Sequence, residues 1–408
     1  MQRFPFQPGT PRTTLGRPVP HPVNGKPALL DREQRSLRSV MNFATQLEGG
    51  GAQMVAAQLC SGFLELGVES SVLSFLYEKR SFALPGPKPS ILAAGKPGLS
   101  GLPRLFVRIF QLLQRQRPDV VLSHSVYTNL FVLPLAALLG VPHRITVQHN
   151  ETDDVNVLFQ WLYAAFHLLR LSTHTVFVSE ASHESYLRKY ACFRHRSSVV
   201  KNLISIDWRS ADPEVARLVD LKAGERLLFA VGRLSRQKNH AVLVEAMRRV
   251  QGCKLVIAGE GELRGELESQ IQEAGLGDSV ILAGEIPREK IVALFGVCDL
   301  FVMPSLYEGR SLAMLEAIQA GCSIVASRIP SFEEVLRDCR NDVALFDLES
   351  SGDLAAKLNE SVASLPAWQP LEDRCQALGE RAEDSGKSVN LQLCRSYCQN
   401  IGWSSCPA

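Results

Sequence analysis

Short apolar runs typical of buried strands alternate with helical stretches through most of the chain. Ser39–Leu47 and Ser70–Tyr77 have strand character, and Ala52–Leu66 between them has helical character and stops at Gly67. A strand, a helix and a second strand in this order predict a βαβ unit with parallel strands. This alternation constrains the fold more than any other feature of the sequence.

The alternation continues to residue 178 and begins again after a break. The apolar rhythm weakens around residues 202–224, and we place a domain junction there. The further strands predicted on either side of it are Asp119–Ser123, Arg144–Gln148, Thr175–Val178, Leu227–Val231, Lys254–Ala258, Ser279–Leu282, Leu300–Met303 and Ser323–Ala326. The further predicted helices are Leu105–Gln116, Thr128–Leu139, Val155–Leu171, Ala241–Val250, Leu263–Ala274, Arg288–Phe295 and Leu312–Ala320. The expected fold class is α/β, with two tandem Rossmann-like doubly wound domains facing across a cleft.

The two ends of the chain set the outer boundaries. Seven of the 22 prolines precede residue 28 without a periodic apolar pattern, so residues 1–37 are expected to be a disordered leader or a wrongly assigned start. Residues 38–205 would form the first domain and 206–385 the second. The remaining segment, 386–408, is expected to contain a helix that packs back on the first domain.

Composition excludes several classes of protein. Lys and Arg number 44 against 42 Asp and Glu, and a net charge of +2 gives no reason to expect a nucleic-acid partner. Ten cysteines lack C-x-x-C spacing, so neither a disulfide framework nor a zinc site is predicted. The apolar stretches are too short or too interrupted to cross a bilayer, and the N-terminus lacks the apolar core of a signal peptide, so a cytoplasmic location is expected.

Two cations follow the first predicted strand of the second domain, on the loop that faces the cleft. Arg233 and Lys238 lie five residues apart within the stretch VGRLSRQKNH. A diphosphate leaving group needs fixed positive charge beside it, because negative charge develops there as the bond breaks. The same residues would also suit a solvated loop with ordinary surface charges.

A pair of glutamates follows a later strand of the same domain. Glu308 lies in the loop after that strand, and Glu316 lies two turns into the next helix. The free backbone amides of Arg310, Ser311 and Leu312 at the start of this helix would suit a phosphate. Carboxylates accept hydrogen bonds from sugar hydroxyls. Either glutamate alone would equally suit an ordinary amphipathic helix.

Together, these two stretches resemble the retaining nucleotide-sugar glycosyltransferases of family four, which have the GT-B fold. The family's hallmarks are a GR-x-x-x-x-K loop and two glutamates separated by seven residues, and both occur here in the same order. The stretches VIAGEGE at Val256–Glu262, LAGEIP at Leu282–Pro287 and LFGVCDLFVMPSLYEG at Leu294–Gly309 also match. The resemblance covers residues 40 to about 365 and is strongest from 227 to 337.

The resemblance implies a role for each matching residue of the second domain. Arg233 and Lys238 would contact the donor diphosphate, and Glu316 would bind the ribose hydroxyls. Glu308 would bind hydroxyls of the transferred sugar. The backbone amides that follow it, from Arg310 through Ser311 to Leu312, would hold the distal phosphate.

In the first domain, the resemblance points to a glycine-rich loop and a histidine. Gly50 and Gly51, within the stretch EGGGAQ, would let the chain approach the donor phosphate at a helix N-terminus, although they could also form a simple tight turn. His124, at the end of PDVVLSH, matches a family histidine beside the reacting carbon. His149, in VQHN at a neighbouring strand end, is a second candidate that could equally be structural.

The reaction implied by the resemblance is transfer with retention from a nucleotide-diphosphate sugar, a UDP-sugar rather than a GDP-sugar. The acceptor would be a glycan or lipid-linked glycan in cell-envelope or exopolysaccharide synthesis. No Asp-x-Asp motif occurs, so no metal or other cofactor is expected, and cations with helix-terminal amides would stabilise the diphosphate.

The sequence departs from the family in two places. Arg310 and Ser311 stand where the family usually has phenylalanine and glycine, which leaves the donor's identity open. The stretch VVKNLI at Val199–Ile204 replaces the usual Pro-Asn-Gly-Val turn, so the hinge between the domains is expected to differ in shape.

A basic helix in the first domain suggests a membrane surface. The stretch Pro103–Arg117 combines Arg104, Arg108, Arg115 and Arg117 with apolar residues at helical spacing. Such a helix can lie on an anionic membrane or pack its apolar face on a sheet. Because many relatives extend lipid-linked glycans, peripheral contact with the inner face of the cytoplasmic membrane is expected.

Three other functions stay open on sequence grounds. Binding residues could persist in a non-catalytic sugar-nucleotide-binding protein, and sugar-nucleotide epimerases share the fold. A hydride-transfer enzyme would need G-x-G-x-x-G after a strand, but Gly259 and Gly261 are followed by Arg264 where the third glycine would stand.

Overall fold

A computed structural model describes residues 37–47, 50–79, 86–152, 155–204, 206–337, 339–348, 350–378 and 389–400 of the chain. All of these residues belong to one compact unit. The predicted leader, apart from residue 37, lies outside the described residues, as do Glu48 and Gly49 of the glycine-rich loop.

The first sheet has seven strands in the described part of the chain, and every pairing in it is parallel. They are β1 Ser39–Leu47, β2 Ser70–Glu78, β3 Ser90–Ile91, β4 Val120–Ser123, β5 His143–Gln148, β6 His174–Phe177 and β7 Ser197–Val199. Their spatial order is β3-β2-β1-β4-β5-β6-β7, so the winding direction reverses between β1 and β4. Ligands of doubly wound sheets bind at such a reversal, outside the carboxyl ends of the strands.

Helices cover both faces of this sheet. They are α1 Gly51–Glu65, α2 Leu102–Gln116, α3 Val126–Leu138, α4 Val157–Leu168 and α5 Glu180–Lys189. Val40 of β1 packs in one apolar cluster with Phe63 of α1, and its neighbour Met41 packs in another with Ile109 of α2. Because successive side chains of a strand point to opposite faces, the two clusters lie on opposite sides of the sheet.

The second sheet repeats this design with six strands, again all parallel in the described residues. They are β8 Arg226–Val231, β9 Cys253–Ala258, β10 Val280–Gly284, β11 Leu300–Met303, β12 Ser323–Ser327 and β13 Val343–Phe346, in the spatial order β10-β9-β8-β11-β12-β13. The helices are α6 His240–Met247, α7 Arg264–Glu273, α8 Arg288–Val297, α9 Leu312–Ala320, α10 Pro330–Leu336, α11 Ser351–Ser364 and α12 Leu371–Ala377. The reversal here lies between β8 and β11, which positions a second ligand-binding edge.

The last described helix, α13 Val389–Asn400, returns to the first sheet. Leu393 and Tyr397 are fully buried in the cluster that contains α1 and β1. The thiol of Cys394 lies 3.3 Å from the carbonyl oxygen of Leu59. The chain therefore passes between the two sheets twice. Among the described residues, no helix combines the length and apolar character that a bilayer crossing requires.

The α/β fold with two Rossmann-like domains is confirmed, whereas several element boundaries differ from the prediction. α4 ends at Leu168 instead of Leu171, and Arg170 just beyond it has a left-handed backbone with φ of 57°. The sequence analysis also missed seven elements, β3, β7, β13, α5, α10, α11 and α12. α5 is rich in polar residues and covers only a short edge of the sheet, so its apolar pattern is weak.

Candidate active site

An ion pair joins the two motifs of the second domain. After β8, the short 3₁₀ helix Arg236–Lys238 carries the ammonium group of Lys238 to within 2.5 Å of Oε1 of Glu308. The hydroxyl of Ser305 donates to the same oxygen at 2.9 Å. The two charged side chains are only 18% and 9% exposed, so neither is an ordinary surface charge. The structure therefore brings together two residues to which the sequence analysis gave separate ligand groups.

Two hydrogen bonds join the two loops that carry this pair. The amide of Leu306 donates to the carbonyl oxygen of Gln237 at 2.8 Å, and the Gln237 side chain donates to the carbonyl of Tyr307 at 3.1 Å. Both loops follow carboxyl ends of adjacent strands, β8 and β11. Arg233 lies on the first of these loops with an exposed side chain. The loops that carry the cation and the carboxylate are thus hydrogen-bonded to each other.

Glu316 is buried on α9 and pairs with Arg288, the first residue of α8. Burial raises the pKa of the Glu316 carboxyl above its ordinary value, and the charge and hydrogen bond of Arg288 oppose this rise. Arg288 therefore favours the ionised form of Glu316. A carboxylate in that form can accept hydrogen bonds from two hydroxyls of a ribose.

Two helix N-termini approach each other at the cleft. Ser311 caps α9, its hydroxyl accepting from the amide of Met314, and Leu312 begins the helix. A β-carbon on Gly51, the first residue of α1, would lie 3.8 Å from Cγ of Leu312. Neither Gly50 nor Gly51 has a positive φ, and a β-carbon on Gly51 would make only an ordinary van der Waals contact with Leu312. Both helices direct free amides and the positive ends of their dipoles toward this region, which favours an anion.

Two histidines from the first domain form a hydrogen-bonded pair. His124 follows β4 and is 3% exposed, with Nε2 lying 3.2 Å from Oδ1 of Asn42. Its Nδ1 lies 3.3 Å from Nε2 of His149, which follows β5 and is half-buried. Burial lowers the pKa of His149 to about 4 and that of His124 well below its ordinary value. Both rings are therefore neutral near pH 7.

The histidine pair meets the second domain at a glycine. A β-carbon on Gly309 would lie 1.6 Å from the carbonyl oxygen of His149, so only glycine allows this contact. Gly309 follows Glu308 directly in sequence. The contact therefore places the end of β5 in the first domain against the loop that carries the Lys238–Glu308 pair.

A second contact between the domains uses the residue that departs from the family pattern. The Arg310 guanidinium donates to the carbonyl oxygen of Asn202 at 3.1 Å and lies 3.8 Å from the Glu334 carboxylate on α10. That carboxylate also accepts from the amide of Ala181 at 3.0 Å and lies 3.3 Å from the Lys201 ammonium. The Arg310 side chain is thus engaged with the junction between the domains.

Sequence reasoning missed four residues of this arrangement. They are Asn42, Arg288, Ser305 and Glu334. Asn42 carried a usable signal, because a polar residue inside the apolar run of β1 must find a buried partner. Arg288 and Glu334 carried none, since a charged residue in the first turns of a helix is common. Within the described ranges, no cluster of three or more His, Cys, Asp or Glu side chains could hold a metal ion.

Two family models match most of the chain between them. Residues 49–208 match the model described as Glycosyltransferase Family 4, and residues 215–383 match Glycosyl transferases group 1. The first match contains the histidine pair, and the second contains the Lys238–Glu308 pair and Glu316.

Curated relatives and solved structures agree with these models. The chain is 27% identical over 244 residues to UDP-Gal:alpha-D-GlcNAc-diphosphoundecaprenol alpha-1,3-galactosyltransferase of Escherichia coli, covering 55% of this chain and 61% of that enzyme's length. It is 27% identical over 391 residues to putative glycosyltransferase EpsF of Bacillus subtilis, covering 90% and 95% of the two chains. Anabaena HepE, solved in complex with UDP and glucose, superposes with a TM-score of 0.70 at 15% identity, over 90% of this chain and 99% of that one. The chain belongs to the family-four glycosyltransferases of group 1, with the GT-B fold.

Proposed function

We propose that this protein transfers a sugar, with retention at the anomeric carbon, from a UDP-sugar to a lipid-linked or free glycan acceptor. The observation that carries the proposal is the largely buried Lys238–Glu308 pair, which lies where the loops after β8 and β11 meet the end of β5. A cation beside a carboxylate matches a donor whose leaving group is anionic and whose sugar carries hydroxyls.

Each part of the donor has a matching group in the cleft. Lys238 and Arg233 would stabilise the negative charge that develops on the diphosphate as the glycosidic bond breaks. The amides at the start of α9, from Arg310 to Leu312, would bind the distal phosphate, aided by the N-terminus of α1 at Gly50 and Gly51. Glu316, ionised beside Arg288, would accept hydrogen bonds from the ribose hydroxyls.

In the proposed reaction, the bond from the anomeric carbon to the diphosphate oxygen breaks and the acceptor oxygen forms a bond to the same face of that carbon. The acceptor's proton passes to the departing phosphate oxygen. We expect no protein nucleophile and no metal, because Lys238, Arg233 and the helix amides would balance the leaving group's charge.

The donor and acceptor classes are supported by relatives. The Escherichia coli relative is named as acting with UDP-Gal on a diphosphoundecaprenol-linked sugar, and the Anabaena structure contains UDP. A lipid-linked acceptor would bring this protein to the cytoplasmic face of a membrane in envelope or exopolysaccharide synthesis.

We expect donor turnover to depend on the two cations of the β8 loop. In a panel of UDP- and GDP-sugars, hydrolysis without acceptor would identify the donor, and Lys238→Ala and Arg233→Ala should each lower its rate by about 10²-fold, as loss of one group that stabilises a developing anion does. Product analysis by NMR would give the anomeric configuration, and EDTA should leave the rate unchanged.

Arg236→Ala is the matched control, because it removes an exposed cation from the same loop. Near-normal rates in both Lys238→Ala and Arg233→Ala would contradict the diphosphate assignment. UDP binding without turnover of any donor would favour a sugar-nucleotide-binding protein, and inversion of a sugar centre without hydrolysis would favour an epimerase.

A further inference from the structure

Two thiols of the second domain are in contact without being bonded. Sγ of Cys298 lies 3.7 Å from Sγ of Cys322. The Cys322 thiol also donates to the carbonyl oxygen of Phe295 at 3.1 Å. Both cysteines pack in the same apolar cluster, which includes Phe295. The two sulfur atoms are therefore held next to each other by the packing of this part of the core.

The fold places these thiols at the amino ends of two adjacent strands. Cys298 lies between α8 and β11, Cys322 lies between α9 and β12, and β11 pairs in parallel with β12. The candidate active site lies at the opposite, carboxyl ends of these strands. The segment between the two cysteines carries both Glu308 and Glu316. A bond between the sulfur atoms would therefore tie together the two ends of this segment without entering the cleft.

Cys298 is the more accessible of the two residues. It is partly exposed, whereas Cys322 is 6% exposed. The Arg374 guanidinium donates to the carbonyl oxygen of Val297 at 2.6 Å and to the Asp299 carboxylate at 2.8 Å. This cation therefore contacts both chain neighbours of Cys298.

The surroundings of Cys298 also determine how fast its thiol can react. Its hydrogen bond with Cys322, together with burial, raises the pKa of Cys298 well above its ordinary value. The charge of Asp299 adds to this rise, and the charge of Arg374 opposes it. Because the thiolate is the reactive form, oxidation of this thiol should be slow at neutral pH.

We propose that Cys298 and Cys322 form a reversible dithiol site that a hydroperoxide oxidises to a disulfide. The Cys298 thiolate attacks one peroxide oxygen and breaks the O–O bond, which gives a sulfenic acid and a hydroxide that takes up the thiol's proton. The Cys322 sulfur then attacks the Cys298 sulfur, and a second hydroxide leaves and takes up the second proton. The two sulfur atoms together lose two electrons, the peroxide is reduced to water, and a thiol reductant restores the pair. This inference does not depend on the proposed function.

Peptide mapping tests the proposal on the wild-type protein. Trypsin places Cys298 and Cys322 on separate peptides, residues 291–310 and 311–328, and neither peptide contains another cysteine. After the folded, reduced, full-length chain is treated with hydrogen peroxide, mass spectrometry without reductant should find these peptides linked, with the mass of two hydrogens lost. Dithiothreitol should separate them. The melting temperature of the oxidised protein should rise by about 5–10 °C, because the cross-link restricts the unfolded chain.

Serine variants separate the two chemical steps. Cys322→Ser should stop at a sulfenic acid on Cys298, which dimedone traps, and Cys298→Ser should give no linked peptide. Cys339→Ser is the matched control, because it removes another partly buried cysteine of the second domain and should leave the link intact. The proposal would be overturned by the absence of the linked peptide in the wild type, by a link from either cysteine to a different one, or by a lower melting temperature after oxidation. These outcomes are measured on the wild type, so misfolding of a serine variant would not affect them.

Discussion

Arg288 and Glu316 show how one side chain influences the charge state of another. Glu316 is buried on α9, and burial raises the pKa of its carboxyl, whereas the charge of Arg288 lowers it. Arg288 is more exposed, at 38%, and reaches the carboxylate from the start of α8. The cation thus keeps a buried carboxyl ready to accept hydrogen bonds.

We expect Arg288→Gln to change how nucleotide binding depends on pH. Without the guanidinium, the pKa of Glu316 rises further, so the carboxylate takes up a proton at a higher pH than in the wild type. At high pH the variant should therefore bind UDP with nearly the wild-type affinity. As the pH is lowered, its affinity should begin to fall at a higher pH than that of the wild type. Calorimetry with UDP from pH 8 to pH 5 measures this shift.

The control is Arg264→Gln, which removes a guanidinium of α7 that pairs with Glu260 in the preceding loop and with Glu268 on the same helix. Its affinity profile should follow the wild type. Superimposable profiles for Arg288→Gln and the wild type would contradict a role for Arg288 in keeping Glu316 ionised.

Single residues were predicted from sequence where a motif marks them and missed where only the fold brings them together. Glu308, Glu316 and Lys238 could be named because their spacing belongs to a pattern. The partnership of His124 with Asn42 spans 82 residues of sequence, and no local pattern encodes it. The position of Arg310 at the domain junction depends in the same way on Glu334, which belongs to a different element.

At the scale of elements, the strands were predicted well where they are central and poorly at the edges. β1 and β11 were predicted at their observed bounds, because buried strands are continuous apolar runs. β7 at the edge of the first sheet is half exposed and contains two serines in its three residues, so it gave no such run. The pattern of apolar and polar residues in a sequence follows the burial of the side chains, and elements at the edge of a sheet bury fewer side chains than central ones.

The contact between α1 and α13 makes a prediction about a helical glycine. A β-carbon on Gly62 would lie 2.4 Å from the carbonyl oxygen of Asn390 and 2.6 Å from Sγ of Cys394. Gly62→Ala should therefore lower the free energy of unfolding by about 1–3 kcal/mol through overpacking, although alanine favours helix formation. Urea unfolding followed by circular dichroism measures the change.

Gly265→Ala in α7 is the matched control, because a β-carbon on Gly265 would have no neighbouring atom within 4 Å. It should be neutral or stabilising by up to about 1 kcal/mol. Equal stabilisation by both substitutions would mean that α13 does not pack against Gly62 in solution.

At the scale of the whole molecule, charge is nearly balanced, so any membrane contact must come from a local surface. The apolar side chains Leu105, Ile109 and Leu113 of α2 pack on the sheet. On their outer sides, α2, α3 and α4 carry large exposed apolar side chains, which we call the α2–α4 surface. This surface comprises Phe106, Val107, Tyr127, Leu130, Leu138, Val157, Leu158, Trp161, Leu168 and the adjacent Leu169. Arg104 and Arg115 on α2 and Arg117 at its end have exposed side chains, whereas Arg108 donates to the carbonyl oxygen of Leu92.

We expect reversible binding to anionic vesicles through the α2–α4 surface. Replacing Arg104, Arg115 and Arg117 together with Gln should weaken binding to phosphatidylglycerol vesicles roughly 100-fold, since each basic residue contributes about 1 kcal/mol near such a surface. Added salt should weaken wild-type binding in the same direction. Co-sedimentation measures both effects, and donor hydrolysis should not change.

A variant with Arg188, Arg217 and Arg248 replaced by Gln removes the same charge from exposed positions elsewhere. It should bind vesicles like the wild type. Equal binding of the wild type to neutral and anionic vesicles, or none to either, would contradict membrane contact through this surface and favour a soluble acceptor.

The return of α13 to the first sheet has a consequence for biosynthesis. The groove on α1 that receives Leu393 and Tyr397 is translated early, and the helix that fills it is translated after the whole second sheet. At roughly 5–20 residues per second, the ribosome leaves this apolar groove uncovered for on the order of ten seconds or more. During that interval the part of this apolar cluster that α13 covers stays exposed in the nascent first domain, and we expect chaperones to bind it until α13 has been synthesised.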